Sequence, residues 1–268
     1  MIDTRTGLRR ARILGTPVDR CTRIEFRMFI RRSMSALSAR RIVTLNPEIA
    51  LQAWRDPRYG VAIRTADLLT IDGAGVALAL RCLGFRGHGG ISGSDVLNDL
   101  ATLAREQGKT IAFLLRDDGL TSPPLLRAAL GKQWPSLQST IGAVDIHQPI
   151  DPALARAMTD AAPDILIVNF GHPYQEQWLA SNLDRFPSIR LAAGIGGALD
   201  YFSGTIPSPP YVVRSLGIEW LWRLLRQPFR LRRILRAVIV FPSVVAWDAA
   251  HRWARMRSSA LFLTDPSS

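Results

Sequence analysis

Lysine is almost absent from this chain. Of its 34 basic residues only Lys109 and Lys132 are lysines and the rest are arginine. A GC-rich genome can produce that bias, so the arginine total alone says little. Cysteine is scarce too. Cys21 and Cys82 stand far apart, with no CxxC and no histidine at ligand spacing, which leaves a reduced, cytosolic protein as the default. The four histidines (His88, His147, His172, His251) are scattered, and there is no DxD motif and no GxSxG elbow. A catalytic metal and a Ser-His-Asp triad are therefore not expected. No GxGxxG follows the first strand, which argues against a dinucleotide enzyme. The first 30 residues never go seven residues without a charge, so no signal-peptide core is present. The longest apolar stretch, Ala237–Trp247, is interrupted by Pro242 and Ser243 and is too short for a bilayer that needs about 20 residues. The chain is not expected to span a membrane, although it can lie on one.

What is present fits a folded protein. The chain has 268 residues, 47% hydrophobic and 21% charged, enough for one large α/β domain or for one domain plus an appendage. The net charge of +12 is unevenly spread. Residues 1–41 hold 11 arginines against Asp3, Asp19 and Glu25, and residues 206–268 hold 10 against Glu219, Asp248 and Asp265, whereas the middle is slightly acidic. Basic ends point to phosphates, whether of a nucleic acid, a lipid surface or a phosphorylated substrate, or else to a solvated surface.

Short apolar runs recur at Arg41–Leu45, Leu68–Ile71, Thr110–Leu115, Ser139–Val144, Asp164–Phe170 and Arg190–Ile195. Helical periodicity fills the gaps at Pro47–Arg55, Gly75–Leu83, Ser94–Gln107, Pro123–Gln133, Pro152–Ala161 and Gln175–Leu183. Continuous apolar strands alternating with amphipathic helices predict an α/β fold, a Rossmann-like, mostly parallel sheet with helices on both faces. Asn46-Pro47 and Asp151-Pro152 mark two helix starts, and Ser94 after Gly93 marks a third. At Gly204–Pro210 three prolines in four residues end the pattern. This divides the chain into a core, 1–205, and a basic, helical C-terminal appendage, 206–268.

In an open parallel sheet, ligands bind beyond the carboxyl ends of the strands. Four post-strand loops carry polar or glycine-rich groups: Thr44 to Glu48, Asp72 to Gly75, Gly171 to Glu176 and Gly194 to Asp200. Asp72, followed by Gly73 and Gly75, is placed either to act as a base or to cap the next helix. Gly194-x-Gly196-Gly197 is either a phosphate-cradling turn or a tight strand-to-helix turn. Gln175 and Glu176 open a helix, where Glu complements the dipole and both can hydrogen-bond sugar hydroxyls. In the tail, Arg223, Arg226 and Arg230 fall on one helical face beside Leu221, Leu224 and Leu225. That pattern describes a helix on an anionic membrane, or one packed on the core with a solvated arginine face.

Taken in order, Thr44-x-Asn46, Asp72-Gly73-x-Gly75, Gly93-Ser94-Asp95, Gly171-x-Pro173-x-Gln175-Glu176-x-Trp178, Gly194-x-Gly196, Asp200-x-x-x-Gly204 and Gly217-x-Glu219-Trp220 resemble the WecG/TagA/CpsF family of bacterial glycosyltransferases, glycosyltransferase family 26. The likeness reaches upstream to Ile13–Asp19 and covers roughly residues 11–236. It implies transfer of a sugar, of N-acetylmannosamine, uronic acid or glucose type, from a UDP-sugar to a polyprenyl-diphosphate-linked saccharide. The reaction is expected at the cytoplasmic membrane face, with inversion, no bound metal and no cofactor. Asp72 corresponds to the proposed base. Thr44 and Gln175 are further catalytic candidates. Asn46, Gly73, Gly75, Ser94, Asp95, Gly171, Pro173, Glu176, Gly196, Gly197 and Asp200 are substrate-binding candidates. Arg214, Arg223, Arg226 and Arg230 correspond by region to arginines implicated in diphosphate and membrane contact. The implied partners are the UDP-sugar, the lipid-linked acceptor and the anionic inner-membrane surface; a homo-oligomer is compatible with this and nucleic acid is not expected.

Two loops depart from the family pattern. Arg116-Asp117-Asp118 stands where a Gly-Gly pair is usual, and Ile146-His147-Gln148-Pro149 where Gly-Tyr-Phe is usual; both bear on the identity of the donor. The rival reading is a non-enzymatic nucleic-acid- or membrane-binding protein using its basic ends. It accounts for the charge but not for the loop motifs, and no nucleic-acid module is evident.

Overall fold

The computed structural model describes residues 7–85, 90–208, 210, 212–213, 219–226 and 231–262, with the backbone alone at 219–220, 223, 226, 233 and 255–262. The chain opens with an antiparallel hairpin, β1 (Arg9–Ile13) and β2 (Thr16–Arg20), followed by helix α1 (Arg23–Ser33). Six strands then form the central sheet: β3 (Arg40–Leu45), β4 (Leu68–Ile71), β5 (Ile111–Arg116), β6 (Ser139–Val144), β7 (Ile165–Asn169) and β8 (Leu191–Gly194). They run in the order β4-β3-β8-β7-β5-β6, and every pairing is parallel. Each lies within a residue of the strand ends predicted from the sequence.

The sheet is buried on both faces, as its continuous apolar strands require. One side chain in two faces α1, α5 (Gly93–Gln107), α6 (Pro123–Gln133) and α9 (Ala198–Phe202), through Ile42, Phe113, Ile167 and Ala193. The alternate set meets the other layer. There Val43, Leu45, Leu69 and Ile71 pack with α2 (Pro47–Arg55), α3 (Pro57–Arg64) and α4 (Ala74–Cys82). Leu114, Leu166 and Val168 pack in the cluster of α7 (Pro152–Ala161) and α8 (Tyr174–Asn182). Each fully buried side chain of this kind contributes about 1.5–3 kcal/mol.

The two Asx-Pro starts act as caps. Asn46 Oδ1 accepts from the amides of Glu48 and Ile49, both at 3.0 Å. Asp151 Oδ1 accepts from Ala153 at 2.8 Å. Helix α5 begins a residue before the predicted Ser94, because Ser92 and Asp95 close a reciprocal capping box.

The N-terminal basic charge is partly neutralised within the fold. Arg23, Arg27 and Arg31, one turn apart on α1, pair with Asp95, Asp99 and Glu106 along α5. Arg10 pairs with the fully buried Asp19, whose Oδ2 also accepts the Leu69 amide of edge strand β4 at 2.9 Å.

Among the described residues the tail contains α10 (Glu219–Arg226), α11 (Leu231–Leu235), a π-helical turn (Arg236–Val240) and α12 (Phe241–Phe262). Phe241 and Val245 are buried in the same core cluster as α2 and α4, and Trp247 meets Trp54 of α2 edge-on. Among the described residues no helix is long and apolar enough to cross a membrane.

Candidate active site

The strand order brings the loops after β4, β3, β8 and β7 side by side along the carboxyl edge. Register fixes the first corner. Leu45 lies opposite Ile71, and the Asp72 amide donates to the Leu45 carbonyl at 2.9 Å. Asp72 does not cap α4: the cap position is Gly73, at φ +84°, with no side-chain cap bond. Asp72 itself is half-buried, one residue ahead of that cap. Gly75 admits Pro47, whose Cγ lies 2.8 Å from where a β-carbon would stand. The N-termini of α2 and α4 thus converge, and both bring their partial positive charge to this corner. Thr44 is buried at the end of β3. With the Asn46 carbonyl committed to its cap, the group that Asn46 can offer a ligand is its NH2.

The second corner lies between β8 and β7. Gly194 begins the turn and Gly196, at φ +47°, reverses it. The Gly196 amide donates to Gln175 Oε1 at 3.1 Å, and Gln175 Nε2 donates to Glu176 Oε1 at 2.7 Å. Tyr59 of α3 donates its hydroxyl to Glu176 Oε2 at 2.9 Å. Gln175 is 3% and Glu176 2% exposed. Both oxygens of Glu176 are engaged inside the protein, so this carboxyl does not stand open to sugar hydroxyls. Burial pushes it above the ordinary glutamate range, against hydrogen bonds from Gln175 and Tyr59 and the pull of His172. Burial beside Glu176 likewise pushes the Tyr59 phenol up. Gly171, at φ +72°, leads into a cis His172-Pro173 peptide, and His172 Nε2 lies 2.9 Å from Glu48 Oε2.

Asp200 is buried behind this turn, where its Oδ1 accepts the Thr121 hydroxyl at 2.7 Å; Gly197 lies beside its other oxygen. Ser94 is exposed in the first turn of α5. Asp95 is occupied by its cap and by Arg23. Gly93 packs against the Ile195 carbonyl, with no room there for a β-carbon.

At the β5 end Arg116 is held by Asp118 and lies 5.8 Å over the Tyr174 ring, which His147 meets edge-on. The two loops that depart from the family pattern therefore meet each other through Tyr174. Sequence reasoning missed Tyr174 and Tyr59, and left His172 and Glu48 inside motifs without a role. Glu48 could have been noted from its place after Asn46-Pro47, whereas nothing local marks Tyr59. Arg214 and Arg230 lie outside the described residues. Arg223 and Arg226 belong to α10, where only their backbone is described.

An open parallel sheet with glycine-rich turns, a carboxylate and two helix N-termini gathered at its carboxyl edge is the framework on which α/β proteins bind their ligands. The model of the Glycosyl transferase WecG/TagA/CpsF family matches residues 11–255, and the chain belongs to that glycosyltransferase family. It is 30% identical over 194 residues to the N-acetylglucosaminyldiphosphoundecaprenol N-acetyl-beta-D-mannosaminyltransferase of Bacillus spizizenii, covering 72% of this chain and 74% of that protein. It is 28% identical over 251 residues to the protein of the same name from Staphylococcus aureus strain MW2, covering 91% and 95%.

Proposed function

We propose that the protein transfers an N-acetylmannosamine-type sugar from a UDP-sugar to an N-acetylglucosaminyl-diphosphate polyprenol, at the inner face of the cytoplasmic membrane. The observation that carries the mechanism is the placement of Asp72 at the end of β4, beside the end of β3 and next to Asn46. In this reading Asp72 takes the proton of the acceptor hydroxyl as that oxygen attacks the anomeric carbon in line, and the configuration inverts. Thr44 and the Asn46 NH2 orient the reacting sugar. Leaving UDP gathers negative charge, which the α2 and α4 N-termini, the Gly197 region and tail arginines offset without a metal. A lost donor of this kind costs about 3 kcal/mol of barrier.

The tail carries the membrane contact. Leu221, Leu225, Leu231, Leu235, Val238 and Ile239 are exposed along it, and its net charge is strongly positive. Apolar side chains among arginines suit an anionic bilayer surface. The N-terminal arginines paired along α5 weigh against a nucleic-acid surface.

The test is a donor screen. Purified protein, an N-acetylglucosaminyl-diphosphate lipid and a panel of UDP-sugars are incubated with and without EDTA, and products are read by mass spectrometry. Transfer from UDP-N-acetylmannosamine, unaffected by EDTA, is expected. Transfer from no UDP-sugar would overturn the reading, and loss of activity on chelation would overturn its metal independence.

A further inference from the structure

Glu176 and Tyr59 are among the most buried polar side chains in the molecule, at 2% and 0% exposure. They come from helices far apart in the chain, and both are closed off from solvent. Their hydrogen bonds nevertheless run in one line to the open edge of the sheet. Tyr59 Oη donates to Glu176 Oε2 at 2.9 Å, Gln175 Nε2 donates to Glu176 Oε1 at 2.7 Å, and Gln175 Oε1 receives the Gly196 amide at 3.1 Å.

The direction of this line is fixed at its buried end. With any proton on Oε2, Glu176 Oε1 only accepts, so Glu176 demands an N–H donor from Gln175 and a hydroxyl partner at Oε2. Tyr59 meets that demand with its hydroxyl and Gln175 with its NH2. Once the NH2 end of Gln175 is drawn to Glu176, its carbonyl end must point the other way, at Gly196. An amide turned over would place an NH2 against the Gly196 N–H and an oxygen against a carboxylate oxygen, two repulsions in a buried site. The backbone is shaped to receive the side chain. At Gly194 a β-carbon would stand 2.8 Å from the Gln175 amide carbon and nitrogen, so Gln175 lies flat against the strand end. Gly196, at φ +47°, adopts the left-handed conformation that aims its N–H inward.

We propose that Tyr59 and Glu176 are positioning residues of the transferase site, which hold Gln175 in one orientation and through it set the Gly194–Gly197 turn. This rests on the reading that the carboxyl edge binds the donor. Neither residue is assigned a catalytic role, since both side chains are closed off from solvent and spent on internal hydrogen bonds. They fix where the turn's remaining backbone groups point before the donor arrives. That matters most when charge develops on the leaving diphosphate, because a donor that must reorient then loses much of its value. Loosening the turn should lower kcat more than it raises the donor KM.

Two readouts test this, one of them independent of activity. Glu176→Met keeps the volume and removes both acceptor oxygens. The expected result is a folded protein with kcat at least tenfold lower, donor KM within about threefold, and faster hydrogen exchange at the Gly196 amide. Glu176→Gln can still accept from Gln175 and can donate to the Tyr59 oxygen, so it should recover most of the loss in both readouts. Unchanged kcat and exchange in a folded Glu176→Met would overturn the proposal. So would a Glu176→Gln variant as impaired as the Met one, since charge and not the hydrogen-bonded line would then be at work. If Glu176→Met does not fold, Tyr59→Phe removes a single hydroxyl from the far end. Faster exchange at Gly196 with a several-fold lower kcat is expected there, and no change in either would sink the idea. Should the wild type transfer no sugar, the functional reading fails while the exchange at Gly196 still decides whether the line holds the turn.

Discussion

The backbone amide of Asp72 donates to the carbonyl of Leu45 at 2.9 Å, one residue beyond the last paired positions of β4 and β3. This bond extends the parallel ladder just far enough to seat Asp72 beside Asn46. The Asp72 carboxyl is thus attached to a rigid strand end and not to a free loop. Replacement by Asn should leave this backbone bond and the fold intact. Turnover should fall by about two to four decades, the usual share of a general base, with UDP affinity retained. Turnover near wild type, measured with the lipid acceptor, would remove Asp72 from the mechanism.

Gly194 faces Gln175 with no space between them. Gly194→Ala forces a methyl group into the Gln175 side chain, which is held at both ends and cannot swing aside. The expected cost is about 1–3 kcal/mol of stability, with a loss of activity larger than that destabilisation explains. Thermal unfolding and donor kinetics on the same preparation check both parts.

Asp19 is the acceptor for two buried demands, the Arg10 guanidinium and the Leu69 amide. Asp19→Ala strands the Leu69 amide and removes the carboxylate from Arg10, and breaking a buried pair from one side costs about 3–5 kcal/mol. Chemical denaturation should show a large loss of stability; a change below 1 kcal/mol would mean that water replaces the carboxylate.

The pH dependence of stability follows from Glu176, whose carboxyl is raised from its ordinary value of 4.5, chiefly by burial. Below that value folded and unfolded states both hold the proton, and the stabilising contribution is complete. As pH rises further the unfolded chain releases its proton first, so stability declines until Glu176 ionises in the folded state as well. Glu176→Gln lacks this decline. Its Tm relative to the wild type should therefore improve steadily from about pH 4.5 upward, and a flat or opposite trend would refute the raised value.

Membrane contact is best tested on the tail surface. Phe241 and Val245 belong to the core, so truncation after Gly204 would expose buried apolar surface and confuse the outcome. Leu225 and Ile239, 72% and 58% exposed, can be changed to Ser without touching that core. The double variant should sediment several-fold less with anionic vesicles and keep its Tm, and high salt should release the wild type. Undiminished sedimentation would assign the tail a structural role only.

The six sheet strands were legible because a strand covered on both faces is apolar along its whole length, as in Ile111–Leu115 and Ile165–Val168. The hairpin β1–β2 was not, because RRARI and TPVDR read as charged and turn-prone. Their charges are accommodated because Arg9 and Arg12 face solvent and Arg10 finds the buried Asp19 across the ladder. At the site, Asp72, Asn46 and the Gly194–Gly197 turn could be named from their position after strands. Glu176 was visible as a motif, but its role depends on Tyr59, 117 residues away, and no local pattern encodes that meeting. The return of Phe241 and Val245 to the core had a local signal, since both lie in the longest apolar stretch, Ala237–Trp247, but nothing in that stretch names α2 and α4 as its partners.

The hydrogen bond from Leu69 to Asp19 bears on assembly as well as on stability. A parallel sheet has two margins, and each offers unpaired amides to any strand that drifts alongside. On the β4 margin one of those amides is already claimed by a carboxylate, and the hairpin packs beside that strand. Strand β6, at the opposite margin, has no such guard among the described residues. Among the described residues the two margins therefore differ in their tolerance of neighbours: an intruding strand, whether from a second copy or from an aggregating chain, finds an amide already claimed at β4 and none so claimed at β6.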